Sequence, residues 1–358
     1  MLLSIDDYKG CFYEQGMQFY TRDCAVRNKN VFNFATEPVM DSEQEEEYGD
    51  LPPQGVITFS RDGNQWGASF LYGFEPVVLG ASFKPTGHSV SIEPYDADLE
   101  LDERTGLRVF IAGSGQVFLD EPLATFDEQS GGESGAFERG GISKLKIIDG
   151  WLYACGGNRG FGKRLGKGKW QSFTQFFPFD KNAPVEGYGF EDFDAFNEQD
   201  IYLVGGRGDV WQFDGKKARQ IPIPTNVNLE TVCCGDDGEV YISGAKGMTF
   251  HRRGDRWERV ENEEPYEDSS NLPFRDMVWH EDKVWATNDD GLWVIENNVI
   301  KEADIPDWVR DCYGSLSTGD GVLLLAGEAG AVFRENGEWH KILLFGEMEA
   351  LLKAEKGR

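Results

Sequence analysis

The string Gly157-Asn-Arg-Gly-Phe-Gly-Lys163 has the G-x-x-x-x-G-K spacing with which a backbone loop cradles phosphates and a lysine reaches them. Arg164 stands where that loop needs a hydroxyl for magnesium, and the segment leads into a further strand-like run, not into a helix whose N-terminus would face the phosphate. The string therefore reads as a basic β-hairpin, with Arg159, Lys163, Arg164, Lys167 and Lys169 offsetting local acidity. A second candidate is Asp192 and Asp194 in Phe190-Glu-Asp-Phe-Asp-Ala-Phe196, two residues apart and so on one face of a strand. Two carboxylates lining a channel can bind a cation or divide acid and base roles; the plainer expectation is a solvated channel mouth. His88, His251, His280 and His340 are scattered, with no pair at ligand spacing. Gly132-Glu-Ser-Gly-Ala136 lacks the last glycine of a nucleophile elbow. No catalytic residue, metal or cofactor is expected.

The elements that carry these residues repeat. An alternating apolar strand, a glycine-rich turn and a second strand recur, first in Leu107-Arg-Val-Phe-Ile-Ala-Gly and then in Gly150-Trp-Leu-Tyr-Ala-Cys-Gly. Later copies are Asp200-Ile-Tyr-Leu-Val-Gly, Gly238-Glu-Val-Tyr-Ile-Ser-Gly, Asp282-Lys-Val-Trp-Ala-Thr and Gly321-Val-Leu-Leu-Leu-Ala-Gly. Equivalent positions are Phe110, Tyr153, Tyr202, Tyr241, Trp285 and Leu324, 39 to 49 residues apart. A repeat of that length with several strands per unit predicts a propeller blade. Gly168-Lys-Trp170, Gly254-Asp-Arg-Trp257 and Gly337-Glu-Trp339 place a tryptophan at the start of the outer strand, where it can pack between sheets. Val56–Trp66 with Ala68–Tyr72 supplies a further hairpin. The fold class expected is all-β, a β-propeller of seven four-stranded blades, as a single domain over 1–345 with a tail or short helix over 346–358. Glu37–Pro53, acidic and aperiodic, and Asp120–Gly141 are expected to be loops.

From about residue 55 to 343 this repeat grammar resembles the bacterial WD40-like, kelch-like and Asp-box propellers. Ser60-Arg-Asp-Gly-Asn-Gln-Trp66 is similar to an Asp-box turn with one residue missing between Asp62 and Gly63; no Trp-Asp dipeptide closes the repeats, and no paired-glycine kelch signature recurs. The resemblance implies the fold and no particular activity.

Composition narrows the class of partner. The net charge is −28 over 358 residues, from 63 Asp and Glu against 35 Lys and Arg. Phosphate backbones and anionic lipid surfaces would be repelled, so neither nucleic acid nor membrane is expected, and a steered partner would be basic. No run of 18 apolar residues occurs, the first residues lack the basic and apolar regions of a signal peptide, and the six cysteines form no C-x-x-C pair. These features read as a cytoplasmic protein with buried reduced thiols.

In a propeller, every segment from an outer strand to the next inner strand emerges on one face. Those segments are Phe173–Gly189, Pro222–Asn228, Glu261–Pro273 and Ala303–Asp311. They hold Phe176, Phe179, Glu186, Tyr188, Glu263, Glu264, Tyr266, Glu267, Asp268, Asp307 and Trp308, rings beside carboxylates, the residue types of a protein-binding hot spot. The expected function is a non-enzymatic protein that docks a basic partner through this face, in the manner of an immunity protein or antitoxin that occludes a toxin. The alternatives are a glycan hydrolase or lyase with Asp192 and Asp194 in a central funnel, and a multi-partner scaffold.

Overall fold

A computed structural model describes residues 3–48, 53–71, 81–82, 108–112, 116–120, 133–134, 142–166, 169–178, 189–254, 256–263 and 273–356. Its strands form antiparallel meanders that follow one another in the chain. The innermost strands are Met17–Asn28, Ile142–Ile148, Phe190–Asn197, Leu229–Cys234, Asp276–His280 and Ser315–Gly319, each but the first begun after an outer strand of the preceding sheet has ended. From Ile142–Ile148 onward each inner strand packs on the next, Ser315–Gly319 packs on Met17–Asn28, and Ala81–Ser82 contacts both Met17–Asn28 and Ile142–Ile148, which completes a ring. The molecule is an all-β propeller.

The expectation of seven four-stranded blades needs correction. Six sheets carry described side chains, and two of them have five strands. In the first, Tyr13–Glu14 folds back on the start of Met17–Asn28. In the sheet of Asp276–Glu302, Glu261–Asn262 of the preceding connection pairs in parallel with Val299–Ile300 on the outer edge, which it covers. A further short sheet, Ala81–Ser82, Arg108–Ala112, Gln116–Asp120 and Glu133–Ser134, is described by its strand pairing alone.

The hairpin turns explain why the repeats end where they do. Asp149, Asn158, Asp282, Asn297, Asn298, Asp320 and Asn336 all have positive φ, the left-handed region that Asn and Asp enter at least cost among residues with a Cβ. Between sheets the core is apolar: Leu203, Phe161, Phe193 and Phe213 fill one interface and Val284, Ala286 and Met277 another. Two of the corner tryptophans, Trp257 and Trp339, pack as expected. Trp339 meets Trp285 edge-on with ring centroids 5.8 Å apart, and Trp257 lies against the Tyr202–Ile242 cluster.

Helices appear at the ring closure. Ile5–Phe12 is capped by Ser4, whose hydroxyl accepts the Asp7 N–H at 3.1 Å. Phe345–Lys356 packs on it through Phe345 against Phe12, with ring centroids 5.4 Å apart. Gln18 on the innermost strand of the first sheet donates to Tyr8 and to Glu349, so both helices are tied to that strand. The expected Glu37–Pro53 loop is corrected too. Strand Val31–Val39 runs through Glu37, and Ser42–Tyr48 is a short helix with no buried residue. Asp41 accepts the N–H of Glu43 and Gln44 while the Gln44 side chain accepts the Asp41 N–H, a reciprocal cap.

Candidate functional site

Two acidic regions result, one inside the ring and one outside. Inside, a cavity of about 450 Å³ is lined by Asp23, Lys144, Lys146, Asp194, Asp276 and Trp279 among others. The lysines come from Ile142-Ser-Lys-Leu-Lys-Ile-Ile148, whose alternation puts both on one side of the inner strand. Lys144 reaches Asp276 at 3.3 Å and Lys146 reaches Asp192 at 3.1 Å. Each aspartate also stitches two sheets. Asp192 caps its neighbour Phe193 N–H and accepts the Thr231 hydroxyl and the Val232 N–H, at 2.9 and 3.0 Å. Asp276 caps Met277 and accepts the Leu316 N–H at 3.0 Å. Asp194 accepts the Cys234 N–H at 2.7 Å. The Thr231, Val232, Cys234 and Leu316 bonds to these aspartates each span about one repeat of sequence, so the period that spaces the blades also places these acceptors.

The expectation of a solvated mouth is therefore corrected at Asp192, whereas Asp194 is half-buried and lines the cavity. Asp192 is 2% exposed and its oxygens are engaged. A carboxylate that accepts several backbone and hydroxyl bonds has no lone pair to offer a reacting proton. Burial raises the Asp194 carboxyl, an effect that Lys146 opposes. Asp23 is pushed up to about 6, by burial first and the Asp276 charge second, against the pull of Lys144. The Gly157–Lys163 string is a strand–turn–strand hairpin, with Arg159 forked on Asp209 at 2.6 and 2.9 Å and Lys163 held by Glu198 over the Trp151 ring. Among the described residues no group of three or more His, Cys, Asp or Glu is placed to hold a metal ion, and no helix is long and apolar enough to cross a membrane.

Outside, the face formed by the outer-to-inner connections also carries helix Ser42–Tyr48. Its Glu43, Glu45, Glu46 and Glu47 have no buried neighbour on their helix and no basic residue in its last turn. Val39 (63% exposed), Tyr313 and Leu351 are large apolar side chains left open. Val39 pairs with Gln18, which bonds Glu349, two residues before Leu351.

No known family profile matches the sequence. A curated protein does: the immune protein Tsi7 of Pseudomonas aeruginosa is 32% identical over 233 residues, covering 64% of this chain and 71% of the relative. The chain belongs to the Tsi7 family. Its fold is shared far more widely. The WD40 propeller domain of Doa1 superposes with a TM-score of 0.60 over 90% of this chain and 95% of that one, at 12% identity. U3-55K gives 0.57 over 92% and 93%, at 11% identity. At such identities the likeness speaks for architecture alone, and it supports the resemblance to WD40-like propellers.

In this Tsi7-family propeller the expected rim residues fall into two groups. Phe176 lies in the turn Thr174–Phe176, half-buried, its ring 5.5 Å from Phe213. Glu263 is exposed at the outer edge of its sheet, where its N–H bonds the Ile300 carbonyl and its carboxylate lies 3.6 Å from Lys301. Asp307 is exposed at the start of helix Asp307–Arg310, while Trp308 is half-buried with the Lys341 ammonium 5.2 Å from its ring. Phe179, Glu186, Tyr188, Glu264, Tyr266, Glu267 and Asp268 lie outside the described residues. The described four come from three connections, Phe176 from one, Glu263 from a second, and Asp307 with Trp308 from a third.

Sequence reading missed helix Ser42–Tyr48 and the channel lysines. Both had signals: Asp41-Ser-Glu-Gln44 is a capping-box pattern, and Lys144-Leu-Lys146 alternates with period two.

Proposed function

We propose that this chain is a cytoplasmic, non-enzymatic immunity protein that neutralises a toxin by covering a basic surface with its acidic, loop-bearing face. The observation that carries the reading is the 32% identity to an immune protein over 71% of that protein's length. The net charge of −28 supports a basic partner, because a carboxylate-rich face steers and orients a cationic surface and repels nucleic acid. The helix Ser42–Tyr48 supports the choice of face, since its carboxylates are unburied on that side of the ring. Contact is expected from Phe176, Glu263, Asp307 and Trp308 together with Phe179, Glu186, Tyr188, Glu264, Tyr266, Glu267 and Asp268. The same reading counts the sheet of Ala81–Ser134 as a seventh blade, seated between Met17–Asn28 and Ile142–Ile148, both of which Ala81–Ser82 packs against.

A competition assay tests this whatever the toxin is. A strain deleted for the chain is co-cultured with its parent. Loss of the deleted strain, with rescue by the chain supplied on a plasmid, is expected. Equal survival of the two strains rejects the immunity reading.

A further inference from the structure

On the opposite face of the ring, a cavity of about 380 Å³ opens between two neighbouring sheets. Its walls are Asp236, Asp237 and Glu239 of one turn, Tyr241, Trp279, Asp282, Ile295 and the turn Asn297–Asn298. These turns join first to second and third to fourth strands, so they lie on the face away from the outer-to-inner connections. The lining holds four carboxylates and two aromatic rings and no lysine or arginine. Trp279 also lines the central cavity, so the two spaces adjoin.

The carboxylates divide by role. Asp237 is spent on the protein: it accepts the Tyr241 hydroxyl at 2.7 Å and the Glu239 N–H at 2.9 Å. Burial first, and then the hydrogen bond to Asp237, raises the pKa of the Tyr241 hydroxyl, so it stays a donor to that carboxylate. Glu239, buried, faces His251. Asp236 and Asp282 are exposed and have no partner among the described residues. The Trp279 indole lines the same space, half-buried, its centroid 6.4 Å from that of Tyr241 and tilted by 28°. The site is built with little slack. A Cβ on Gly235 would lie 2.4 Å from an Asp237 oxygen and 2.8 Å from the Trp279 ring, so only glycine lets the turn lie against the indole.

We propose that this cavity is a receptor for an arginine side chain presented by a basic polypeptide. A guanidinium is a flat cation: it stacks on an indole and offers a fork of N–H donors to nearby carboxylates. The indole of Trp279 with the two unengaged carboxylates supplies both halves of that recognition. An ammonium would gain the charge without the stacked plane. The proposal does not rest on the immunity reading and concerns a different face.

The test uses the whole chain and Nα-acetyl-arginine amide as probe, with the neutral isostere Nα-acetyl-citrulline amide and Nα-acetyl-lysine amide as comparators. The Trp279 indole N–H is followed by NMR. The expected result is a saturable shift with the arginine probe, none with citrulline, and at least about 10-fold weaker affinity for lysine. In a chain carrying Asp236→Asn and Asp282→Asn the arginine affinity should fall at least about 10-fold, with the folded spectrum otherwise unchanged. The proposal is overturned by equal shifts with arginine and citrulline, by lysine binding as tightly as arginine, or by an affinity that survives the double substitution. Trp279→Phe, which keeps a ring but narrows it and is followed at the Gly235 backbone N–H instead, should weaken binding without abolishing it; unchanged affinity there also counts against the stacked geometry.

Discussion

The carboxylates of the channel and those of helix Ser42–Tyr48 are the same chemical group put to opposite uses. Asp192 and Asp276 are buried, and each holds a lysine and at least one backbone N–H of the next sheet. Glu43, Glu45, Glu46 and Glu47 stand on a helix with no buried residue, and Glu43 and Glu47, four apart, repel along it. A buried carboxylate is tolerable only with its bonds satisfied, so the channel set is fixed by the fold. An exposed one costs the fold little, so the helix is free to serve an outside partner. The large net charge is thus informative mainly about the surface.

Substitutions can break this contrast. The largest effect is expected inside. Asp192→Ala leaves Lys146, the Thr231 hydroxyl and the Val232 N–H without their acceptor, and unfolding in urea should show a loss of about 3–5 kcal/mol. A loss below about 1 kcal/mol would mean that these bonds are not what ties the sheets.

Next comes a dependence on pH at Asp23. Its carboxyl sits near 6 in the folded chain against an ordinary value of 3.8, so the folded state holds the proton more tightly. Stability contributed by this group is then highest below the unfolded value, falls as pH rises from about 4 to about 6, and levels off above. Asp23→Asn removes that dependence. The variant should gain on the parent across this window and run parallel to it above; parallel curves throughout contradict the assignment.

The outer region should behave otherwise. Changing Glu43, Glu45, Glu46 and Glu47 together to Gln should alter stability by less than about 0.5 kcal/mol, or raise it slightly, while protection in the competition assay declines. A large loss of stability would place this helix with the channel, and full protection would remove it from the docking face. The smallest effect on binding is expected from Lys9→Ala, which breaks an exposed pair with Glu355 at 2.7 Å. It should leave protection unchanged and barely move the midpoint of the same urea titration.

The propeller was legible because one physical requirement repeats: an inner strand, two tight turns that favour Gly, Asn or Asp, and a tryptophan at the outer corner. Tyr153, Tyr202, Tyr241, Trp285 and Leu324 all occupy the second strand of their sheets. The first sheet was harder to read. Its inner strand Met17–Asn28 has 12 residues and a folded-back hairpin at its start, and its second strand runs on to Val39 before an inserted helix. The cross-ring contacts were not legible at all. That Lys144 meets Asp276, 132 residues away, follows from ring closure and from no local pattern. The carboxylates at 192 and 194 were found by their spacing, yet spacing alone does not tell a solvated pair from one that stitches two sheets.

The account's central claim, that an acidic face masks a basic toxin, is tested most directly on the complex recovered from the parent strain and rebuilt from purified components. Its dissociation constant is measured as salt rises from about 50 mM to about 500 mM, a range over which screening shortens from well over 10 Å to a few ångströms. The account predicts a weakening of at least about 10-fold, reduced when Glu43, Glu45, Glu46 and Glu47 are replaced by Gln. A dissociation constant unmoved by salt, and equal for the two proteins, would contradict it.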